Sequence, residues 1–127
     1  MLVDTHIALW ALGEPERLTS SERSILVDPA IDRCISPMSI WEAAIKREAG
    51  QLRAPRDLTA LLAAEFRMLA LTPDLLEAAA ELPRHHLDPF DRVLIAHALL
   101  DDLEILTRDG AFAGYGVRLA GPDSPTG

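Results

Sequence analysis

Met1-Leu2-Val3-Asp4-Thr5-His6 opens the chain: three apolar residues, a carboxylate, then an apolar stretch through Leu12 that Gly13 ends. Met1–Val3 is too short for a helix and reads as a first, buried strand, with a helix across His6–Leu12 behind it. The same pattern returns at the far end of the chain. Glu104–Leu106 is another short strand, followed by Thr107-Arg108-Asp109-Gly110 and a short helix near Ala111-Phe112. A strand whose end carries an acid just before a helix is the local signature from which the rest of the fold is read.

The intervening elements alternate in the same way. Thr19-Ser20-Ser21-Glu22 is a capping box for a helix to Val27, in which hydroxyl and carboxylate satisfy each other's orphan amides. Arg33–Ile35 reads as a second strand. Ser36-Pro37 then supplies an N-cap and a proline at the first helical position for a helix to Glu48, stopped by Gly50. Leu58–Arg67 is helical and leads into a third strand, Met68–Leu71. Thr72-Pro73 and Asp88-Pro89 repeat the cap-plus-proline signal for helices to Leu82 and Leu100, and Val117–Leu119 is the last strand. Strands alternating with helices predict an α/β fold: a short, mainly parallel central sheet flanked by helices, an α/β/α sandwich. At 127 residues the expectation is one domain over 1–120, with 121–127, rich in breakers, as a flexible C-terminal tail.

Nearly half of the residues are apolar (49%), which makes the chain globular rather than disordered, and its apolar runs are far shorter than the roughly 18 residues that span a bilayer. No signal peptide is expected ahead of the first strand. Cys34 is the only cysteine, so no internal disulfide forms; a buried small hydrophobe in a reducing cytoplasm is the expectation. The net charge of −8 argues against broad nucleic-acid binding away from a metal site and suggests a basic partner. Lys46 is the only lysine; the remaining cations are arginines, which suit bidentate phosphate contacts.

Four acids carry the functional reading: Asp4, Glu42, Asp91 and Asp109. In a parallel sheet, strand ends and helix starts meet on one edge, where such folds bind ligands. Carboxylates gathered there repel by about 3 kcal/mol per pair at 5 Å and an effective dielectric of 20, and a divalent cation is the simplest way to hold them together. Each acid has a bland reading. Asp4 caps the first helix, and Glu42 makes an i,i+4 pair with Lys46 worth about 0.2–0.5 kcal/mol. Asp91 completes a capping box with Asp88, the better cap by position, and Asp109 forms an Asx-turn before glycine. Glu42 resists its bland reading most, because it stands between Trp41 and Ala43 and a half-buried charge needs a partner.

Thr5 and Thr107 either steady the carboxylates or act as turn and cap residues. Arg92 and Arg108 either contact phosphate or pair locally with the neighbouring acids. His6, His85, His86 and His97 are read as structural or peripheral, since adjacent histidines cannot share a helix face and no cysteine pair completes a zinc site. Trp10 and Trp41 are read as core or dimer contacts rather than base-stacking platforms.

Four stretches, in order and spacing, resemble the PIN-domain family, and within it the VapC-type ribonuclease toxins of bacterial toxin–antitoxin pairs. They are Met1–His6, Ser39-Ile40-Trp41-Glu42-Ala43-Ala44-Ile45-Lys46, His85–Ala96 with its Asp88-Pro89-Phe90-Asp91-Arg92 core, and Thr107-Arg108-Asp109. The resemblance implies a Mg²⁺- or Mn²⁺-dependent endoribonuclease in which Asp4, Glu42, Asp91 and Asp109 hold the metal. It implies a homodimer, a VapB-type antitoxin that covers the site, and a larger assembly of the two. Hard oxygen ligands suit Mg²⁺ or Mn²⁺; Asp4 and Asp91 are expected to bind directly, Glu42 and Asp109 through water or a second ion. The metal would lower the pKa of a water and direct it at a phosphodiester phosphorus. The alternatives are a metal-dependent DNA nuclease or phosphatase and a catalytically silent interaction domain. The Asp-x-Asp pattern of haloacid-type phosphatases is missing, because His6 stands second after Asp4. A dinucleotide site is excluded by the lack of a glycine-rich turn after the first strand.

Overall fold

The computed structural model describes residues 1–84 and 88–120. His85, His86 and the 121–127 tail therefore lie outside the described residues. Five two-residue strands, β1 (Leu2–Val3), β2 (Cys34–Ile35), β3 (Arg67–Met68), β4 (Ile105–Leu106) and β5 (Leu119–Ala120), form one sheet in the order β3-β2-β1-β4-β5. Every pairing is parallel, with Leu2 opposite both Cys34 and Ile105. Between the strands run α1 (Thr5–Gly13), α2 (Ser20–Val27), α3 (Pro37–Glu48), α4 (Leu58–Glu65), α5 (Pro73–Glu81) and α6 (Pro89–Asp101), with 3₁₀ turns at Pro15–Arg17 and Gly110–Tyr115.

Strands this short are stable where both faces are covered, which is why all of them but the edge strand β3, with its exposed Arg67, read as unbroken apolar pairs. Side chains alternate across the sheet. Val3, Ile35, Leu106 and Ala120 pack with Ile7, Ala8, Ala43 and Leu62 of α1, α3 and α4. Leu2, Cys34, Ile105 and Leu119 pack on the other side with Leu94, Ile95 and Ala98 of α6 and Phe112 of the second 3₁₀ turn. The layers are helix, sheet, helix. A third cluster, Met38, Leu75, Ala79, Val93 and Ala96, joins α3, α5 and α6.

Caps place the helix starts where the sequence put them. Thr19 Oγ1 accepts from Glu22 N at 3.1 Å, and Glu22 Oε1 accepts from Thr19 N at 2.8 Å. Ser36, Thr72 and Asp88 each accept a backbone amide of the helix they open. Gly50, at φ +71°, ends α3 in the left-handed region that favours glycine. Two strand positions differ from expectation. The third strand lies at Arg67–Met68 rather than 68–71, because Phe66 and Leu69 are the buried anchors; Leu71 is 40% exposed and lies past the last pairing. The last strand slides to Leu119–Ala120, where Leu119 sits opposite Ile105. Among the described residues, no helix is long and apolar enough to cross a membrane.

Candidate metal centre

The strand order reverses its direction of growth between β1 and β4, and this leaves a crevice beyond their carboxyl ends. Asp4 and Thr107 are the first residues past those two strands, and they meet there. Asp4 N donates to Leu106 O at 3.0 Å, and Thr107 Oγ1 donates to Asp4 Oδ2 at 2.6 Å. Asp4 also caps α1 through Oδ1, which accepts from His6 N at 3.4 Å. Thr107 Oγ1 in turn accepts from Asp109 N at 3.0 Å, and Asp109 Oδ1 accepts from Ala111 N at 3.0 Å. One hydroxyl thus couples two of the acids.

Glu42 reaches the same place from the second turn of α3. It is 3% exposed, and its Oε2 accepts from Lys46 Nζ at 2.7 Å. Asp88 and Asp91 come from the first turn of α6, where Asp88 Oδ1 accepts from Phe90 N at 2.8 Å. A pocket of about 330 Å³ is lined by Asp4, Glu42, Asp88, Asp91 and Asp109 together with His6, Ile7, Trp10, Lys46 and Arg108. The four acids singled out in the sequence therefore line one cavity, although they are spread over more than a hundred positions of chain. The local structural reading holds at three of them: Asp4 caps, Glu42 pairs with Lys46, and Asp109 closes an Asx-turn.

Buried hydrogen bonds fix the helices that carry these acids. Thr5 Oγ1 donates to Ser39 Oγ at 2.7 Å, joining the start of α1 to α3. Ser36 Oγ and His97 Nε2 lie 2.7 Å apart and join the start of α3 to α6. Thr5 thus acts on the scaffold, whereas Thr107 touches the acids directly.

Electrostatics follow from this geometry. Burial pushes the Asp4 carboxyl above the usual range, opposed by the Thr107 hydrogen bond, with Glu42 adding a smaller upward push. The Glu42 hydrogen bond holds the Lys46 ammonium charged, with Asp88 and Asp91 contributing. Among the described residues, no three carboxylate, imidazole or thiol side chains converge as a ready metal-chelating set. The chemistry of the donors does fit a hard divalent ion. They are all carboxylate oxygens, outnumber the cations beside them, and include a buried acid whose ionised form burial disfavours.

Several residues stand elsewhere than sequence reasoning placed them. His6 and Trp10, read as peripheral and as core, both line the pocket. His97 is buried and structural as expected. Trp41 is 58% exposed and packs edge-on against Phe90, outside the core. Arg108 pairs not with its neighbour Asp109 but with Glu22, 86 positions away. Arg92 donates to the carbonyls of Ala79, Ala80, Leu82 and Pro83 around the end of α5. Asp88 and Lys46 are pocket residues that the sequence reading treated as a cap and a salt-bridge partner. The i,i+4 spacing of Glu42 and Lys46 was the signal that both share a face.

The PIN-domain family model matches residues 1–117. The chain belongs to the PIN-domain family. It is 31% identical over 113 residues to ribonuclease VapC22 of Mycobacterium tuberculosis, covering 86% of both chains. Among solved structures it is similar to a chain of a toxin–antitoxin complex from Klebsiella pneumoniae, at TM-score 0.67 and 21% identity, with 97% of this chain and 98% of that one covered. It is also similar to a chain of VapBC2 from Rickettsia felis bound to a promoter DNA fragment, at TM-score 0.68 and 12% identity, covering 94% and 96%. At such identities the structural likeness speaks for the PIN fold alone.

Proposed function

We propose that this PIN domain is a metal-dependent endoribonuclease and the toxin of a toxin–antitoxin pair. The observation that carries the reading is the shared pocket: acids from the ends of β1 and β4, from α3 and from α6 face one cavity at the switch point. Likeness to a ribonuclease over most of the chain supports RNA as substrate. Asp4, Glu42, Asp91 and Asp109 would hold Mg²⁺ or Mn²⁺, which when bound lowers the pKa of a coordinated water and polarises a phosphoryl oxygen. Thr107 orients Asp4, and Lys46 holds the Glu42 carboxylate in place. Ile7 and Trp10 form the apolar wall of the pocket, which limits bulk water around the acids.

Partners follow from the same reading. The neighbours named above were solved as toxin–antitoxin complexes, one with DNA, and this supports a VapB-type antitoxin that supplies DNA contact and the basic counterpart to a −8 chain. Trp41 and Ile45, 58% and 42% exposed on successive turns of α3, offer an apolar face for a homodimer.

The test is cleavage of single-stranded RNA in Mn²⁺. Wild type cuts, while Asp4→Asn and Asp91→Asn lose activity by at least about a hundredfold with an unchanged fold by circular dichroism, given what metal catalysis contributes. Equal rates on DNA or a simple phosphate ester would overturn the assignment to RNA.

A further inference from the structure

Arg108 is held unlike any other cation at the pocket. Its Nε and Nη2 donate to Glu22 Oε2 and Oε1 at 2.8 and 2.5 Å, and Nη2 also donates to Arg17 O at 2.6 Å. Glu22 is fully buried and lies outside the pocket lining, so the ion pair grips the guanidinium from behind. Trp10 completes the mount: the guanidinium carbon sits 4.5 Å from its ring centroid. The third nitrogen, Nη1, makes no hydrogen bond among the described residues, and the side chain stays 36% exposed on the pocket. Lys46, the other cation there, is bonded to Glu42 within the pocket.

The row continues. Arg17 lies 5.8 Å from the same indole, and a second groove of about 840 Å³ shares His6, Trp10 and Arg17 with this platform. A polyanionic strand approaching five carboxylates on a chain of net charge −8 needs a fixed cation at the rim. A planar guanidinium immobilised in advance loses little freedom when it meets a phosphate.

Resting on the ribonuclease reading, we propose that Arg108, mounted on Glu22 and Trp10, contacts the RNA phosphate next to the scissile one and directs the strand into the adjoining groove. Arg108 on this account serves substrate binding rather than bond breaking, so its loss appears in KM and not in kcat.

The test measures binding of a fluorescein-labelled single-stranded RNA by anisotropy between 50 and 200 mM salt, in an Asp4→Asn background that leaves the RNA intact. Because Arg108→Gln alone strands a buried carboxylate, the variant is the pair Glu22→Gln with Arg108→Gln; glutamine still completes the capping box. The expected result is a Kd raised about tenfold and a salt slope shallower by about 0.7, one single-strand phosphate contact. Arg108→Lys keeps the slope with an intermediate Kd. Steady-state cleavage with Glu22→Gln and Arg108→Gln in an otherwise wild-type chain shows the rise in KM alone. A folded pair variant with unchanged Kd, slope and KM would overturn the proposal and reduce Arg108 to a tie between α2 and the end of β4. Failure of the Asp4→Asn parent to bind RNA at all would instead remove the ribonuclease reading, and this inference with it.

Discussion

Thr107 does the most work of any single side chain at the site, since its hydroxyl donates to Asp4 and accepts from Asp109. Thr107→Val keeps the shape and removes both bonds. The expected cost is about 1.5–3 kcal/mol in urea unfolding, the range for a hydrogen bond to a charged group, with a matching loss of cleavage because Asp4 is no longer oriented. Unchanged stability and activity would show that the 2.6 Å contact is incidental. The Glu22–Arg108 pair makes a second residue-scale prediction. Arg108 holds the Glu22 carboxyl below its usual range, so the unfolded chain takes up the proton first on acidification. The pair's stabilisation is present above the ordinary glutamate value near 4.5 and is lost as pH falls below it toward the depressed folded value. Melting curves of wild type and of Glu22→Gln with Arg108→Gln should therefore converge as pH drops through that window. A gap that persists or widens there would contradict the pairing.

At the scale of elements, the starts of α2, α3, α5 and α6 were legible because each is written locally: a capping residue, often followed by proline, needs no distant partner to be recognised, whereas α4 opens at Asp57 without a side-chain cap. Thr19→Ala, which removes the capping box of α2, is expected to cost about 1 kcal/mol; thermal denaturation reads this out, and no change would mean that tertiary packing alone holds the helix. Strand limits were less legible. With two residues per strand, register is decided by which side chains the covering helices bury, and Phe66 and Leu69 outweigh the apolar look of 68–71. The Ser36–His97 contact was invisible for a related reason, since only the packing of α3 on α6 brings these residues together. Burial lowers the His97 pKa. The unfolded state then binds the proton more readily, and stability falls as pH drops from the ordinary histidine value near 6.5 toward the lower folded one. His97→Gln should flatten that part of the pH–stability curve. A variant that keeps the full wild-type slope there would assign the acid sensitivity to another group.

Over the whole molecule, the sheet order accounts for both what the sequence revealed about the site and what it hid. Acids at strand ends and helix starts converge because a parallel sheet puts all such ends on one edge, so Asp4, Asp91 and Asp109 could be picked from position alone. Which helix faces turn toward the crevice depends on how the helices pack. Periodicity alone did not reveal that Trp10 and His6 line the cavity, whereas the i,i+4 spacing from Glu42 pointed to Lys46. The exposed Trp41 belongs to this scale too: Trp41→Lys is expected to shift a homodimer toward monomer in sedimentation velocity without lowering the melting temperature of the monomer, and a monomeric wild type would rule out that face as a dimer contact. Whether the carboxylates act together on one ion is tested most directly by calorimetric titration with Mn²⁺ of the wild-type chain and of Glu42→Gln. Binding by the wild type and at least about tenfold weaker binding by the variant is the predicted result, because Glu42 comes from a helix apart from those that carry the other acids. No binding by the folded wild type, or a variant isotherm that overlays it, would mean that the four carboxylates do not share an ion.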